Sequence, residues 1–356
     1  MPKPAGKPAR SMAESGSAVE RAGDLSPSAN GASRVRLHRR RPELDDADRQ
    51  LIALLTASGR MSTRALAAEV DLTEPTVAAR LRKLADLRIL GVTATLDWAA
   101  AGYRWDAWLQ VSVHGRSVKE VGAQLARVES VDRVHVVFGA YDLLVHLLLS
   151  DESEAVAAIE ERIGAIEGVH SIRPAVTLQT VKFQTLHARI PIRPIPLTFP
   201  NPVIDLDPLD LALIDALVAD GRQSNREVGR QLGVSEGTVR LRLRRMEEAG
   251  LVRITARSDP YLTGEVNAWA TIEIATEQGT SRAVARQLAD MPETTTVTLV
   301  AGAYDIVASV ATASRSRLVD LALEEIRSIP GVRSTVTSEM VSTLNLSSQW
   351  ARLLAD

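Results

Sequence analysis

Apolar residues recur every three to four positions in consecutive short blocks in the second half of the chain. Leu211, Ile214, Leu217 and Val218 mark a helix over residues 210–219, and residues 225–232 form a second, shorter one. Val239, Leu243 and Met246 line one side of a third helix over residues 235–249. Gly233 supplies the tight turn before Ser235, a good N-cap, and Gly250 stands where the third helix should stop. Helices of these lengths joined by so short a turn are helix-turn-helix architecture. With Val239 inward, the opposite face of the third helix presents Gly237, Arg240, Leu241 and Arg244. A cationic face on a short helix is ordinarily a solvated surface. Behind a tight turn, it is also the face a reading head lays in a DNA groove.

The period then changes from helical to alternating. Residues 89–96 and 251–257 read as extended segments, as a wing or connecting strand would. Strands at 105–113, 131–138, 143–149 and 169–177 are interleaved with helices at 118–125 and 153–166. The second half repeats the order with strands at 268–274, 296–301, 306–311 and 332–338 and helices at 281–289 and 314–328. This order is βαββαβ, ferredoxin-like.

The repetition extends to individual residues. Leu44, Asp45 and Asp48 match Leu206, Asp207 and Asp210; Gly59, Arg60 and Ser62 match Gly221, Arg222 and Ser224; Thr76, Val77, Arg80 and Leu81 match Thr238, Val239, Arg242 and Leu243, all offset by 162. Further on, Trp108 pairs with Trp269, and Gly139-Ala140-Tyr141-Asp142 with Gly302-Ala303-Tyr304-Asp305. The fold class expected is α+β, two repeats, each a winged helix-turn-helix domain followed by a ferredoxin-like domain. The divisions are an arm over 1–42, helix-turn-helix one over 43–98, ferredoxin-like domain one over 99–187, and a Pro-rich linker over 188–204. Helix-turn-helix two follows over 205–259 and ferredoxin-like domain two over 260–356. Pro191, Pro194, Pro196, Pro200 and Pro202 make the linker an extended, semi-rigid spacer.

A length of 356 residues is consistent with at least two cores. The chain has no cysteine, which excludes disulfides and thiolate metal sites, and shows no secretory signal and no apolar run approaching a membrane span. The expected location is the cytoplasm, at the nucleoid. Residues 1–42 are rich in Pro, Ala, Gly and Ser and are expected to be disordered. Nine basic against three acidic residues give the arm a charge of +6, so the formal −2 of the chain leaves −8 for the rest. Any DNA contact must therefore be local. The arm, with Arg39, Arg40 and Arg41, reads either as a solubilising tail or as a phosphate-contacting extension.

In this order and repeated twice, these motifs resemble the Lrp/AsnC, or feast/famine, transcription regulators, over about residues 44–186 and 206–346. The resemblance implies a DNA-binding domain followed by an effector-binding domain that dimerises and often assembles further, sensing amino acids or related metabolites. The fusion of two units departs from the usual single unit. On this reading the DNA-contacting candidates in unit two are Gly237, Thr238, Arg240, Leu241, Arg244 and Arg245. In unit one they are Pro75, Thr76, Ala79, Arg82 and Lys83. Outward positions Pro75, Ala78, Ala79 and Arg82 answer Gly237, Arg240, Leu241 and Arg244, so unit two has more base contacts to offer. Arg80 and Arg242, beside the buried stripes, are better placed to tie their helices to Asp48 and Asp210.

The Gly-Ala-Tyr-Asp loops suit hairpin turn geometry without any ligand. The resemblance makes Gly139, Tyr141, Asp142, Gly302, Tyr304 and Asp305 candidates for the effector pocket. No cofactor and no metal is expected, and the partners expected are double-stranded DNA, a small-molecule effector and further copies of the chain. Two alternatives stand beside a regulator. One is an enzyme like the sirohaem decarboxylases, which share this domain pairing. Against it, all six histidines lie before residue 188 and no nucleophile–base or paired-carboxylate constellation is visible. The other is an effector-binding assembly whose first helix-turn-helix no longer binds DNA.

The hairpin predicts an interface. Val134, Val136, Phe138, Leu143, Val145 and Leu147 form one apolar face for the helices to cover. The other carries Arg133, His135, Val137, Leu144, His146 and Leu148, joined by Trp108, and is too apolar to stay in water. Phe138 opposite Leu143 would make His135 and His146 direct neighbours, hydrogen-bonded to hydroxyls at the level of Thr298 and Ser309 rather than to a metal. This face would meet its counterpart in unit two, within one chain or between two, and protonation of both histidines would loosen the contact below about pH 6.

Overall fold

The computed structural model describes residues 42–87, 89–184, 199–258, 260–346, 350–351 and 353. The arm with Arg39, Arg40 and Arg41, and the linker over 188–198, lie outside the described residues.

Unit one opens with α1 (Asp46–Ala57), α2 (Thr63–Glu69) and α3 (Glu74–Asp86), each begun by a side chain that accepts a backbone N–H: Asp45, Ser62 and Thr73. Strand β1 (Leu90–Asp97) leads to β2 (Trp105–Val113), α4 (Val118–Leu125), β3 (Val131–Phe138), β4 (Leu143–Leu149), a π-helical stretch (Ala157–Ile163) and β5 (Val169–Phe183). Unit two repeats this with α5 (Pro208–Ala219), α6 (Asn225–Leu232), α7 (Glu236–Glu248), β6 (Val252–Ser258) and the single turn α8 (Pro260–Thr263). Then come β7 (Ala268–Thr276), α9 (Ser281–Asp290), β8 (Thr294–Ala301), β9 (Ile306–Thr312), α10 (Arg315–Asp320), a π-helical stretch (Leu321–Glu325) and β10 (Val332–Leu346). The short β11 (Trp350–Ala351) runs parallel to β1.

The two units pair with each other inside one chain. The segments after the third helices are the first seam: β1 and β6 run antiparallel with Thr93 opposite Thr255, two residues that occupy the same place in their repeats. The register is symmetric about that pair, so an approximate two-fold axis passes through it. Gly59 and Gly221 seal the seam. A Cβ on Gly221 would lie 2.9–3.0 Å from Thr93 and Val92, and one on Gly59 about as close to Ile254 and Thr255, so only glycine admits the neighbouring strand.

The second seam closes the sheets. The last strand of each unit is 15 residues long, where the alternation predicts strands over 169–177 and 332–338 only. The first half of β5 pairs with β2 of its own unit and the second half with β8 of the other; β10 does the same with β7 and β3. Both strands slip register by one residue at equivalent points, Leu178 and Val341, and again further along. The eight strands form a closed sheet in the order β10-β3-β4-β2-β5-β8-β9-β7, which leaves neither unit an open edge there.

Between the two halves Trp108, Val137, Tyr141, Leu144 and Ala175 pack on Val300, Val307 and Met340, with Trp269 against them. The apolar sheet face predicted to meet its twin does so. On the helix-covered side Val134, Leu143, Val145 and Leu147 are buried, but Phe138 is 75% exposed. The hairpin closes at Val137 and Asp142 rather than at Phe138 and Leu143: Val137 N–H donates to Asp142 O, and Asp142 N–H donates to Val111 O. Drawing Asp142 into the ladder shifts the register by two, so Leu144 faces His135 and Arg133 faces His146. His135 and His146 are therefore not direct partners.

Candidate nucleic-acid interface and effector loops

The third helix of each helix-turn-helix domain is held by a buried stripe and an ionic clamp. In α7 Val239, Leu243 and Met246 are buried, Ser235 caps Thr238 N–H, and Gly250 takes a left-handed φ of 69°. Arg242 Nη1 donates to Asp207 Oδ2 at 2.6 Å and to Asp210 Oδ1 at 2.9 Å, and in unit one Arg80 Nη1 donates to Asp45 Oδ2 at 2.7 Å and to Asp48 Oδ1 at 2.8 Å. Asp48 and Asp210 are buried, so each clamp satisfies a carboxylate that water cannot reach. Hydrogen bonds to these acids hold both guanidinium pKa values above the ordinary arginine value. The two units differ in one respect. Arg245 Nη2 also donates to Asp210, at 2.6 Å, and to Asp205 O at 3.0 Å, so Arg245, expected on the DNA face, is engaged in the clamp.

What remains outward on α7 is Gly237, Arg240, Leu241 and Arg244, all exposed, with Leu241 at 71%. Thr238 is half-buried, its hydroxyl 2.8 Å from that of Ser235. Arg240 and Arg244 pair with Glu236 and Glu248 on their own helix, at 3.9 and 2.7 Å. Such exposed pairs are weak enough to exchange for phosphate or base contacts. The α3 face carries Pro75, Thr76, Ala79, Arg82 and Lys83, all exposed, with Ala78 half-buried. The heads are coupled directly: Arg60, following α1, donates to Gly221 O, Gln223 O and Asn225 Oδ1 at the start of α6.

The Gly-Ala-Tyr-Asp loops serve the seam between units. A Cβ on Gly139 would strike Ser338 of β10 at 2.4–2.8 Å, and one on Gly302 would lie 3.0 Å from Pro174 O and 3.2 Å from Ala175 of β5. Asp142 Oδ2 accepts Val113 N–H at 2.7 Å, and Asp305 Oδ2 accepts Thr276 N–H at the same distance. Each aspartate thus finishes the edge of the neighbouring strand. Tyr141 is buried between the sheets, its phenol pushed up by burial and by Glu273, while Tyr304 is half-buried. Glu273 is itself buried, raised by desolvation, and accepts from Gln110 Nε2 at 2.7 Å. Glu273 and Gln110 escaped the sequence reading, although a glutamate between Ile272 and Ile274 in a buried strand is a visible signal.

A second cluster was also missed. His146 Nδ1 lies 3.0 Å from Asp132 Oδ2 and its Nε2 3.2 Å from Asp106 Oδ2; Arg133 Nε donates to the same Asp132 oxygen at 2.5 Å. Burial opposes charge on His146, but its two carboxylate partners prevail and raise its pKa. His135 behaves oppositely. Burial, then the charge of Arg133, lowers it to about 3, and its Nδ1 lies 2.9 Å from the Thr343 hydroxyl. Of the two, His135 meets a hydroxyl and His146 meets carboxylates, and the imidazoles do not titrate together. Arg257 of β6 reaches the same corner from the DNA-binding layer, donating to Thr95 at 2.9 Å, its pKa lowered by burial to about 9.

Comparison with known proteins agrees with this organisation. The AsnC-type helix-turn-helix domain matches residues 44–85 and 206–247, and the Lrp/AsnC ligand binding domain matches residues 106–186 and 269–350. An uncharacterized HTH-type transcriptional regulator of Pyrococcus horikoshii is 33% identical over 147 residues, covering 41% of this chain and 93% of the relative. Another, from Pyrococcus abyssi, is 36% identical over 141 residues, covering 39% and 88%. Each is about the length of one unit. Among solved structures, the siroheme decarboxylase NirDL aligns over 85% of this chain and 93% of its own with a TM-score of 0.60 and 15% identity, a likeness of fold alone. Among the described residues no helix is long and apolar enough to cross a membrane.

Proposed function

The chain belongs to the Lrp/AsnC family of transcriptional regulators, and from that premise we propose that it is a sequence-specific, double-stranded-DNA-binding regulator, acting at the nucleoid, whose paired effector domains respond to a small metabolite such as an amino acid. The observation that carries the DNA reading is the exposed face of α7. Arg240, Leu241 and Arg244 stand clear of the clamp while Arg242 and Arg245 are spent on it. Arginine can bond guanine edges and leucine can touch a thymine methyl. The Gly139–Asp142 and Gly302–Asp305 loops are the proposed effector contacts, through backbone groups and Tyr304, since both aspartates are already committed to strand edges.

The test is a gel-shift titration at fixed salt on genomic fragments recovered with the protein. Arg240→Ala with Arg244→Ala should weaken binding by about 1 to 3 kcal/mol for each of the two arginines that bonds a base, and Arg82→Ala by less. Unchanged affinity in the double variant would overturn the reading. Removing residues 1–42 should lower affinity and flatten its salt dependence without altering sequence preference.

A further inference from the structure

The two DNA-reading heads are paired by a symmetric backbone and carry unlike side chains. The β1–β6 register is symmetric about Thr93 and Thr255, and the closed sheet repeats its pairings and register slips at equivalent places in both units. The backbone therefore presents α3 and α7 as a two-fold pair, the arrangement that faces inverted half-sites on a duplex. Arg60 of one head bonds Gly221, Gln223 and Asn225 of the other, which fixes this pairing within the chain.

The chemistry on the two helices is not symmetric. Of the four outward positions only Arg82 and Arg244 agree. Ala78 stands where Arg240 is, Ala79 where Leu241 is, and Pro75 where Gly237 is. An arginine at the second position can read a guanine, whereas alanine offers only a methyl-sized apolar contact. No single half-site suits both faces.

Resting on the DNA-binding reading above, we propose that one chain occupies a whole operator, and that this operator is an inverted pair of unlike half-sites. The half read by α7 is strongly constrained and guanine-bearing; the half under α3 is permissive. Arg240 and Leu241, with Ala78 and Ala79, are the residues that set the inequality.

The experiment is selection of bound duplexes from a random-sequence library by the full chain, with the mass of the resulting complexes measured to count chains. The wild type should enrich one constrained and one loose half-site, with one chain per duplex. Ala78→Arg with Ala79→Leu should enrich an inverted repeat of the constrained half. Arg240→Ala with Leu241→Ala should lose the constrained half and weaken binding between about 5-fold and about 150-fold. Both pairs of positions lie outside the buried stripes, and circular dichroism of each variant checks that it folds. A wild-type preference for a perfect inverted repeat, or two chains on each site, would overturn the proposal while leaving DNA binding intact. No enrichment of any sequence would overturn the DNA-binding reading itself.

Discussion

Two corners of the molecule, related by the approximate two-fold axis, have the same backbone and opposite chemistry. In one, Asp106, Asp132, Arg133 and His146 of unit one cluster beside His135, with Arg257 of β6 near Asp132 and Arg133. In the other the equivalent places hold Asn267, Thr295, Thr296, Thr298, Ser309 and Thr95. Arg257 and Thr95 are themselves equivalents, and they hydrogen-bond to each other across the axis. Two identical chains would carry the same residue at both places, so this unlike pair could not form between them. The difference teaches that the backbone pairing is set by apolar alternation and close glycine contacts, which both units share, while polar filling became free to diverge.

The largest effect should come from unbalancing the charged corner. Asp132 sits among Arg133, His146 and Arg257; burial opposes its charge, and Arg133 and His146 more than offset that, holding its carboxyl below the usual range. Asp132→Ala leaves buried cations uncompensated and should cost about 3 to 5 kcal/mol. Thr295→Ala, its counterpart, loses one hydroxyl bond to Ser309 O and should cost about 1 kcal/mol. Equal shifts in urea denaturation would break the comparison.

The histidines sharpen it through pH. His135 has a folded pKa of about 3 against 6.5 ordinarily, so below 6.5 the unfolded chain binds a proton the folded chain refuses, and stability falls as pH drops toward about 3. His135→Thr, which copies Thr298, should remove this loss, on the order of 1 kcal/mol per pH unit. His146 has the opposite sign. Its raised pKa gives stability that is complete below 6.5 and is lost as pH rises through the folded value, and His146→Ser should remove that loss. Denaturation midpoints between pH 3 and 9 check both, and curves parallel to the wild type would refute the assignment.

The loops differ by less. Gly139→Ala drives a Cβ to 2.8 Å from Ser338 Cα, whereas Gly302→Ala approaches Pro174 O only to 3.0 Å, so the first should cost about 1 to 3 kcal/mol and the second less. The smallest contrast is in the clamps. Arg80→Ala leaves buried Asp48 without its arginine, while Arg242→Ala leaves Asp210 still bonded to Arg245. Thermal midpoints should fall further for Arg80→Ala.

Much of this was legible in the sequence because it is local. The α7 stripe, the Ser235 cap, the stop at Gly250 and the Arg80 and Arg242 clamps follow from helical spacing and the placement of acids one repeat apart. The apolar sheet face named its own partner, since Trp108 and Trp269 recur at the same place. What escaped was non-local. The second halves of β5 and β10 pair with the other unit, and the slips at Leu178 and Val341 break the alternation on which a strand is recognised. The hairpin register depended on Asp142 being drawn to Val111 and Val113, which no pattern inside the hairpin encodes. The buried carboxylates Asp132 and Glu273 went unnamed because the partners that compensate them, His146 and Gln110, lie on other strands.

The closed eight-stranded sheet also changes how the protein answers to its own abundance. Two separate chains that must meet before they can grip DNA lose that competence on dilution, and the concentration of pairs rises with the square of the chain concentration when pairing is weak. Here the partner is tethered, so its effective concentration is set by the linker and the strand pairing rather than by expression. On the proposal that one chain fills a whole operator, occupancy of that site should rise in simple proportion to the number of molecules present, with no threshold of assembly to cross.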